Sequence, residues 1–542
     1  EIRLLKLHPG QRESPIHVTL KTVPLKSSSI PKYEALSYAW GSTYDRKQIF
    51  INKDTLAVTQ SLATLLPYLR YPDQERTLWI DAICINQEDM AERSAQVARM
   101  ADIYSLAAQV IVWLGPKSED SNIALEQLRT INSKIHFDSI LQTITAASPE
   151  DVGWTTSNVH FLLSHQSLTA ISALLQRSWF ERLWVVQEIG LAPKHHTWIF
   201  CGSENIPWDD FYAATSYLRL TGAFPPDSPL GIRLELIRCL GYLISTYSSL
   251  RGTLHRTEYS KCSDPRDRIY AILSISNKEV KITPDYNKSK REVYQDVVMQ
   301  NLLQSGMLRL LTACELSNDT ESELPSWVRD WERKNMCKWF LHLNACGEGY
   351  ADARLVEDGV LEAVGVTCAD VQDTADLRIE GAGDENATRR MLRKLVPENT
   401  ENDRYVGGGD VLSAYVRTVC AGEYSDMALP RREEQLHFEE CRHVMKALLA
   451  GEGHGMPDLE PRFLRLVRSY AKNRCLFKTK NGYIGLAPST VQEGDKVCVL
   501  LGCTSPLILR PKISDPGAKQ SFAIVGECYI LGMVSSEAIL GP

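Results

Sequence analysis

The chain has 542 residues, 44% apolar and 23% charged, and 60 basic against 67 acidic residues leave a formal charge of −7. That length exceeds what one hydrophobic core organises, so two to four domains are expected, and the charge balance offers nothing to recruit nucleic acid. No run of about 18 apolar residues exists to span a bilayer, the opening EIRLLKLHPG lacks a signal peptide's apolar core, and the 14 cysteines show neither a CxxC pair nor a Cys/His cluster at zinc spacing, so a soluble cytoplasmic protein with buried, reduced thiols and no bound metal is expected.

In chain order, YEALSYAWG (residues 33–41) is a short apolar run closed by glycine, which reads as a buried strand and a tight loop, with Ser37, Tyr38 and Trp40 near the strand's end. IFIN (49–52) reads as an edge strand or hairpin. Leu62, Leu65, Leu66 and Leu69 form a helical stripe after a possible cap at Thr59, with Pro67 implying a kink or an early end. LWIDAIC (78–84) is a second buried strand, with Asp81 inside it. Asn86 then caps a helix that Val97, Met100, Tyr104 and Ala107 continue at spacings of three and four. QVIVWLG (109–115) is a third strand, ended by Gly115. Residues 116–176 mix weak helical segments with Ser/Thr-rich turns and read as an insertion.

RSWFERLWVVQEIGLA (177–192) reads as one helix, with Phe180, Trp184 and Glu188 four apart on one stripe. A carboxylate on a packing face costs free energy unless paired, hydrogen-bonded or protonated, so Glu188 is either half of an ion pair with Arg182 or Arg177 or a site acid beside an aromatic wall. TWIFCG (197–202) is a fourth strand. Short buried strands alternating with amphipathic helices indicate a parallel α/β sheet, and in such sheets ligands bind beyond the carboxyl ends of the strands. That edge gathers Ser37, Tyr38, Trp40, Gly41, Asn86, Gly115 and Glu188, with Asp81 a weaker candidate.

Residues 207–345 read as mainly helical, and Arg266-Asp267-Arg268 as a salt-bridge corner. From 346 to 542 short strands dominate, interrupted by a polar helical block at about 385–470, as in a small barrel or sandwich. No GxSxG, Walker A or GxGxxG motif stands in the chain.

YEALSYAWG, LWIDAICINQ (78–87), ERSAQVARMADIYSLA (92–107), VIVWLG (110–115) and RSWFERLWVVQEI (177–189), in this order, resemble the fungal HET (heterokaryon incompatibility) domain family, over roughly residues 30–200. HET domains in turn resemble TIR domains, whose flavodoxin-like sheet carries a glutamate in a W-x-x-x-E step; Trp184 and Glu188 match that spacing. The resemblance implies a TIR-like α/β domain at 1–206, with Glu188 catalytic and Ser37, Tyr38, Trp40, Gly41, Asp81, Asn86, Gln87, Gly115 and Trp184 binding substrate. It implies NAD as a substrate rather than a cofactor, cleaved at the nicotinamide–ribose bond. The alternatives are a signalling module that triggers incompatibility or cell death through a protein partner or self-association, and an enzyme of secondary metabolism on the same fold.

Overall fold

Four short apolar runs, each too brief for a helix, form the centre of a nine-stranded sheet in the computed structural model. The structure describes residues 1–25, 30–42, 44–156, 159–193, 195–225, 228–245, 249–276, 280–316, 323–334, 337–340, 343–357, 359–377, 385–397, 400, 403–424, 436–451, 456, 458–513 and 519–540. The chain divides into two units, residues 1–293 and 294–542.

The first unit runs β1 (Ile2–Leu7), β2 (His17–Val23), β3 (Glu34–Tyr38), β4 (Arg46–Ile51), β5 (Asp54–Thr59), α1 (Gln60–Leu69), β6 (Arg76–Trp79), α2 (Asp81–Cys84), α3 (Met90–Val97), α4 (Met100–Ser105) and β7 (Gln109–Trp113). It continues with α5 (Ser121–Lys134), β8 (Ile135–Asp138), β9 (Thr143–Ala146), α6 (Gly153–Thr156), α7 (Val159–Leu162), α8 (His165–Leu175), α9 (Val185–Gly190), β10 (Thr197–Cys201) and β11 (Glu204–Pro207). A helical layer follows: α10 (Trp208–Leu220), α11 (Pro229–Ser245), α12 (Leu250–Arg256) and α13 (Asp267–Tyr270).

The spatial order is β11-β10-β7-β3-β6-β1-β2-β4-β5. β3 pairs in parallel with both β6 and β7, and β7 with β10. Taken in chain order these four strands lie 2-1-3-4, the flavodoxin order, whose switch point falls between β3 and β7. β1, β2, β5 and β11 add antiparallel pairings, so the complete sheet is mixed. Val110, Ile111 and Val112 of β7 are fully buried, as a strand covered on both faces requires. The stretch read as an insertion contains α5, which buries Leu125, Leu128 and Ile131 and packs on α8, α10 and β11; it carries the crossover from β7 to β10.

Three local expectations are corrected. The strand expected over 78–83 ends at Trp79, because the Ile83 and Cys84 amides fold back onto the Ile80 carbonyl and Asp81 opens α2. An apolar run of that length has no periodicity to separate strand from buried helix. The following helix is capped by Asp89, whose carboxylate accepts from the Ala91 and Glu92 amides, and not by Asn86. The single helix expected over 177–192 is two pieces, a 3-10 turn at Ser178–Glu181 and α9, with Arg182 extended between them. Lys261 supplies the reason: its N–H donates to the Glu181 carbonyl at 2.5 Å and its carbonyl accepts the Leu183 amide at 2.8 Å, taking the groups a continuing helix would use. Phe180 therefore leaves the Trp184 stripe and stacks on Phe211, ring centroids 5.7 Å apart.

In the second unit α14 (Lys290–Ser305), which begins before the division, precedes the hairpin β12 (Ala353–Glu357) and β13 (Val360–Ala363) and the long β14 (Gly365–Asp376). Helices α15 (Glu385–Leu395), α16 (Val411–Val419), α17 (Phe438–Ala450) and α18 (Leu459–Ala471) intervene before β15 (Arg474–Thr479), β16 (Ile484–Pro488), β17 (Lys496–Leu500), β18 (Leu507–Pro511), β19 (Phe522–Glu527) and β20 (Tyr529–Ile530). Within the expected helical block, residues 398–399, 401–402, 425–435, 452–455 and 457 lie outside the described residues. Strands β14 to β20 make a seven-stranded antiparallel sheet in the order β19-β18-β17-β14-β15-β16-β20. It curls until Gly526 of β19 abuts Pro488 of β16, around a core that includes Val371, Phe477, Val497, Ile508 and Val525. The helices close a second core around Leu392, Tyr415, Met445 and Phe463.

Candidate functional site

Ser37 and Tyr38 are the last residues of β3, next to β7 at the switch point, and both are buried. Glu188, on α9, is 1% exposed. Its Oε2 accepts from the Ser37 hydroxyl, and Ser37 Oγ accepts from the Trp179 indole N–H at 2.8 Å. Arg182 Nη1 reaches the same Oε2 at 3.5 Å. The arginine contact is thus one-pronged, onto one carboxylate oxygen. Arg177, the other arginine considered as a partner, instead donates to the Leu114 and Pro116 carbonyls at 2.8 and 2.9 Å.

Asp81 is the second acid. As the first residue of α2 it accepts the Trp40 indole N–H at 2.9 Å and the Ala82 amide at 2.7 Å, while Gln87 Nε2 donates to its carbonyl at 3.1 Å. Arg182 lies within electrostatic reach of both acids, so one cation serves two carboxylates. Burial pushes the Glu188 carboxyl above its ordinary range, against the pull of Arg182 and the Ser37 hydrogen bond, and Asp81 adds to the upward push. Burial likewise raises Asp81, opposed by Arg182 and Trp40. Burial acts to lower Arg182, but Glu188 and Asp81 outweigh it and hold the guanidinium above its usual value. Tyr38 and Tyr104 are raised by burial first and by these acids second. Tyr104 O–H donates to the Leu36 carbonyl at 2.9 Å, whereas the buried Tyr38 O–H meets no partner among the described residues.

The fold therefore brings together Ser37, Tyr38, Asp81 and Glu188, with Trp40 and Gln87 attached through Asp81. It does not bring in Asn86, which is exposed and accepts the Glu88 amide at 3.3 Å in a turn. Gly115, at φ +112°, stands against Arg177, whose Nη1 would lie 3.0 Å from an added Cβ. Gly41, at φ +72°, turns the exposed chain after Trp40. Trp184 stands one turn before Glu188, whose amide donates to its carbonyl at 3.0 Å, yet its indole N–H goes to Asp267 at 3.0 Å. Trp179 was not singled out in sequence; the available signal was a tryptophan in a buried run, whose N–H must find an acceptor.

The helical layer forms its own buried cluster. Asp267, 5% exposed, accepts from Trp184 and, at 2.5 Å, from Tyr286 O–H. Arg93 of α3 sits 3.7 Å over the Tyr286 ring, and Arg266 grips Asp264 with two bonds of 2.9 and 2.8 Å. Of the salt-bridge corner expected of Arg266-Asp267-Arg268, Arg266 makes a close ion pair, with Asp264, while Arg93 comes within 4.0 Å of Asp267 and Arg268 donates to the Thr257 carbonyl at 3.2 Å. Among the described residues no group of three or more His, Cys, Asp or Glu is placed to hold a metal ion, and no helix is long and apolar enough to cross a membrane. All 14 cysteines lie among the described residues and none forms a disulfide; 12 of them are buried.

Two family models match the chain: Heterokaryon incompatibility protein (HET) over residues 33–188, and Het-6 beta-barrel domain over residues 444–540. The first begins four residues before Ser37 and ends on Glu188, so it encloses both halves of their contact. A curated relative, Heterokaryon incompatibility protein 6, OR allele, of Neurospora crassa, is 25% identical over 99% of this chain and 94% of its own length. No solved structure matches. The HET model thus spans β3, β6, β7 and α9, the barrel model spans β15 to β20, and the relative aligns along nearly the whole chain, so residues 33–188 match a heterokaryon incompatibility (HET) domain and the chain as a whole is similar to a heterokaryon incompatibility protein.

Proposed function

We propose that this protein acts in heterokaryon incompatibility, the recognition of self and non-self between fungal cells, and that its N-terminal sheet domain cleaves NAD at the nicotinamide–ribose bond. The observation that carries the reading is the placement of Glu188: a buried carboxylate at the carboxyl ends of β3 and β7, hydrogen-bonded by Ser37 and engaged by Arg182 on one oxygen only. As nicotinamide leaves, positive charge spreads over the ribose C1′ and ring oxygen, and a preorganised carboxylate in a low-dielectric site stabilises it. Nicotinamide departs as a neutral ring and needs no proton, so one ionised acid suffices. Water then adds to C1′ and a proton is released, giving ADP-ribose. Trp40 and Tyr38 supply aromatic surface beside the acid, and Asp81 holds Trp40 in place.

At 1% exposure Glu188 meets a ribose only if α9 shifts from the sheet. That enclosure also favours a second reading, in which the two acids and Arg182 are a packed ion-pair core and the domain signals by binding a protein partner. Incubating the full chain with NAD and following nicotinamide by chromatography separates the two. Nicotinamide release by the wild type and its loss in Glu188→Gln, which keeps the shape and removes the charge, is the expected result. No release at high protein concentration favours the partner-binding module, and equal release by both proteins means that another residue carries the reaction.

A further inference from the structure

The element that bears Arg182 and Glu188 is held from outside the stretch matched to the HET family. Its residues divide by direction. Arg182 and Glu188 face the sheet and each other. Glu181, Leu183, Trp184 and Gln187 face the segment 261–274. The Lys261 N–H and carbonyl bond the backbone of Glu181 and Leu183, and Lys261 Nζ reaches the Glu181 carboxylate at 2.9 Å. Arg233 of α11 takes the other Glu181 oxygen at 2.7 Å. Trp184 donates to Asp267 at 3.0 Å, and Gln187 Nε2 donates to Ser274 Oγ at 3.0 Å. Asp267 is itself fixed by Tyr286, under Arg93 of α3, so the far end of this chain of contacts returns to the sheet domain.

We infer that the segment 261–274 is a strap that holds the Glu188-bearing element closed over the sheet, with Asp267 and Lys261 as positioning residues for Glu188. The inference rests on reading Glu188 as the site carboxylate. Two features make the strap a control point as well as packing. The strapped element is a 3-10 turn and a six-residue helix joined by an extended Arg182, too short to be stable alone, so its closed position depends on tertiary anchors. The anchors' hydrogen bonds fall on residues flanking Arg182 and Glu188, Arg182 facing Lys261 only as the residue between the bonds at 181 and 183, so releasing the anchors frees the element while the side chains of Arg182 and Glu188 stay intact. Local opening of this kind exposes a small unit without unfolding the sheet.

The test uses the full chain and two measurements that do not need turnover: hydrogen exchange of the 183–190 amides, and labelling of Glu188 by a carbodiimide with glycine ethyl ester, read by mass spectrometry. Trp184→Phe keeps an aromatic ring and removes the hydrogen bond to the Asp267 carboxylate. A bond to a charged acceptor is lost, so exchange over 183–190 rises about ten-fold, with a matching gain in Glu188 labelling and no change in β3 and β7. Asp267→Asn retains one oxygen acceptor for the indole N–H and raises exchange over 183–190 by less than Trp184→Phe does. Unchanged exchange over 183–190 in Trp184→Phe overturns the strap, and so does a rise in which β3 and β7 exchange faster to the same degree, because the anchor would then be part of the global fold. Nicotinamide release is followed in parallel. Local opening without nicotinamide from any variant leaves the strap standing and removes the NAD reading.

Discussion

Arg182→Met removes the cation that, among the described residues, acts on both Glu188 and Asp81 while keeping an unbranched apolar stem, and its cost can be bounded from the geometry. At 3.5 Å from Glu188 Oε2, the attraction lost is about 5 kcal/mol at an effective dielectric of about 20. A buried carboxylate has a cheaper escape, which is to take a proton. Protonating an acid whose unfolded value is about 4.3 costs about 3.7 kcal/mol at pH 7, and about 1 kcal/mol at pH 5. The smaller figure sets the ceiling: the variant, with Glu188 neutral, loses at most about 4 kcal/mol at pH 7 and at most about 1 kcal/mol at pH 5, and less to the extent that burial already raises Glu188 in the wild type. Asp81 keeps its bonds from Trp40 and the Ala82 amide and adds less. Urea dependence of hydrogen exchange in the β3 and β7 amides isolates the first unit from the second. A loss below about 1 kcal/mol at pH 7, or one of equal size at both pH values, refutes the idea that Arg182 is what keeps Glu188 charged.

Asp267→Asn tests a second buried acid. Burial lifts the Asp267 carboxyl from 3.8 to about 6, so between those values the folded state holds a proton that the unfolded chain has lost, and stability falls as pH rises through the window. Wild type therefore loses about 2 kcal/mol from this group between pH 4 and 7 that the amide variant does not; a stability difference between the two proteins that is flat across the window contradicts the assignment. Tyr38→Phe removes a buried hydroxyl that meets no partner among the described residues, and is expected to be neutral or stabilising by up to about 1 kcal/mol in thermal unfolding; a loss above that means the hydroxyl is bonded in solution. Gly485→Ala places a Cβ 2.3 Å from the Phe477 ring and 2.9 Å from the Tyr529 carbonyl, so the barrel should lose at least about 2 kcal/mol, read as a lower melting point for the second unit alone.

The four central strands were legible because each is a short apolar run separated from the next by a helical segment, and the rule placing ligands beyond the carboxyl ends of parallel strands then brings Ser37 and Glu188 to one edge. β1 and β2 were not read as strands: IRLLKL and HVTLKTV pair with each other, β1 also with β6 and β2 with β4, and no crossover helix announces them. Failures inside the site share one cause, a partner distant in sequence. Nothing near Arg182 says that the helix breaks there, since the groups that break it belong to Lys261. Trp184 was assigned to the site by its spacing from Glu188, and Asp267, 83 positions on, takes its indole instead. Asn86 and Asp89 are both able caps three residues apart, and local sequence does not choose between them.

The distance between Glu188 and its anchors also sets an order of events during synthesis. Ser37 and Glu188 are 151 positions apart, so the pair first meets after β3, β6 and β7 have been made, with β10 still to come. Asp267 follows Trp184 by 83 positions and, at ribosomal speeds, arrives roughly 4 to 17 s later. In that interval a growing chain has both acids and Arg182 without the Lys261 and Asp267 contacts. Fragments that stop between residues 207 and 260 preserve this transient state. They carry every residue of the HET match and none of the 261–274 segment, and those that stop before Arg233 also lack its contact with Glu181, so a cell that makes them by premature termination holds the Glu188 element without these anchors.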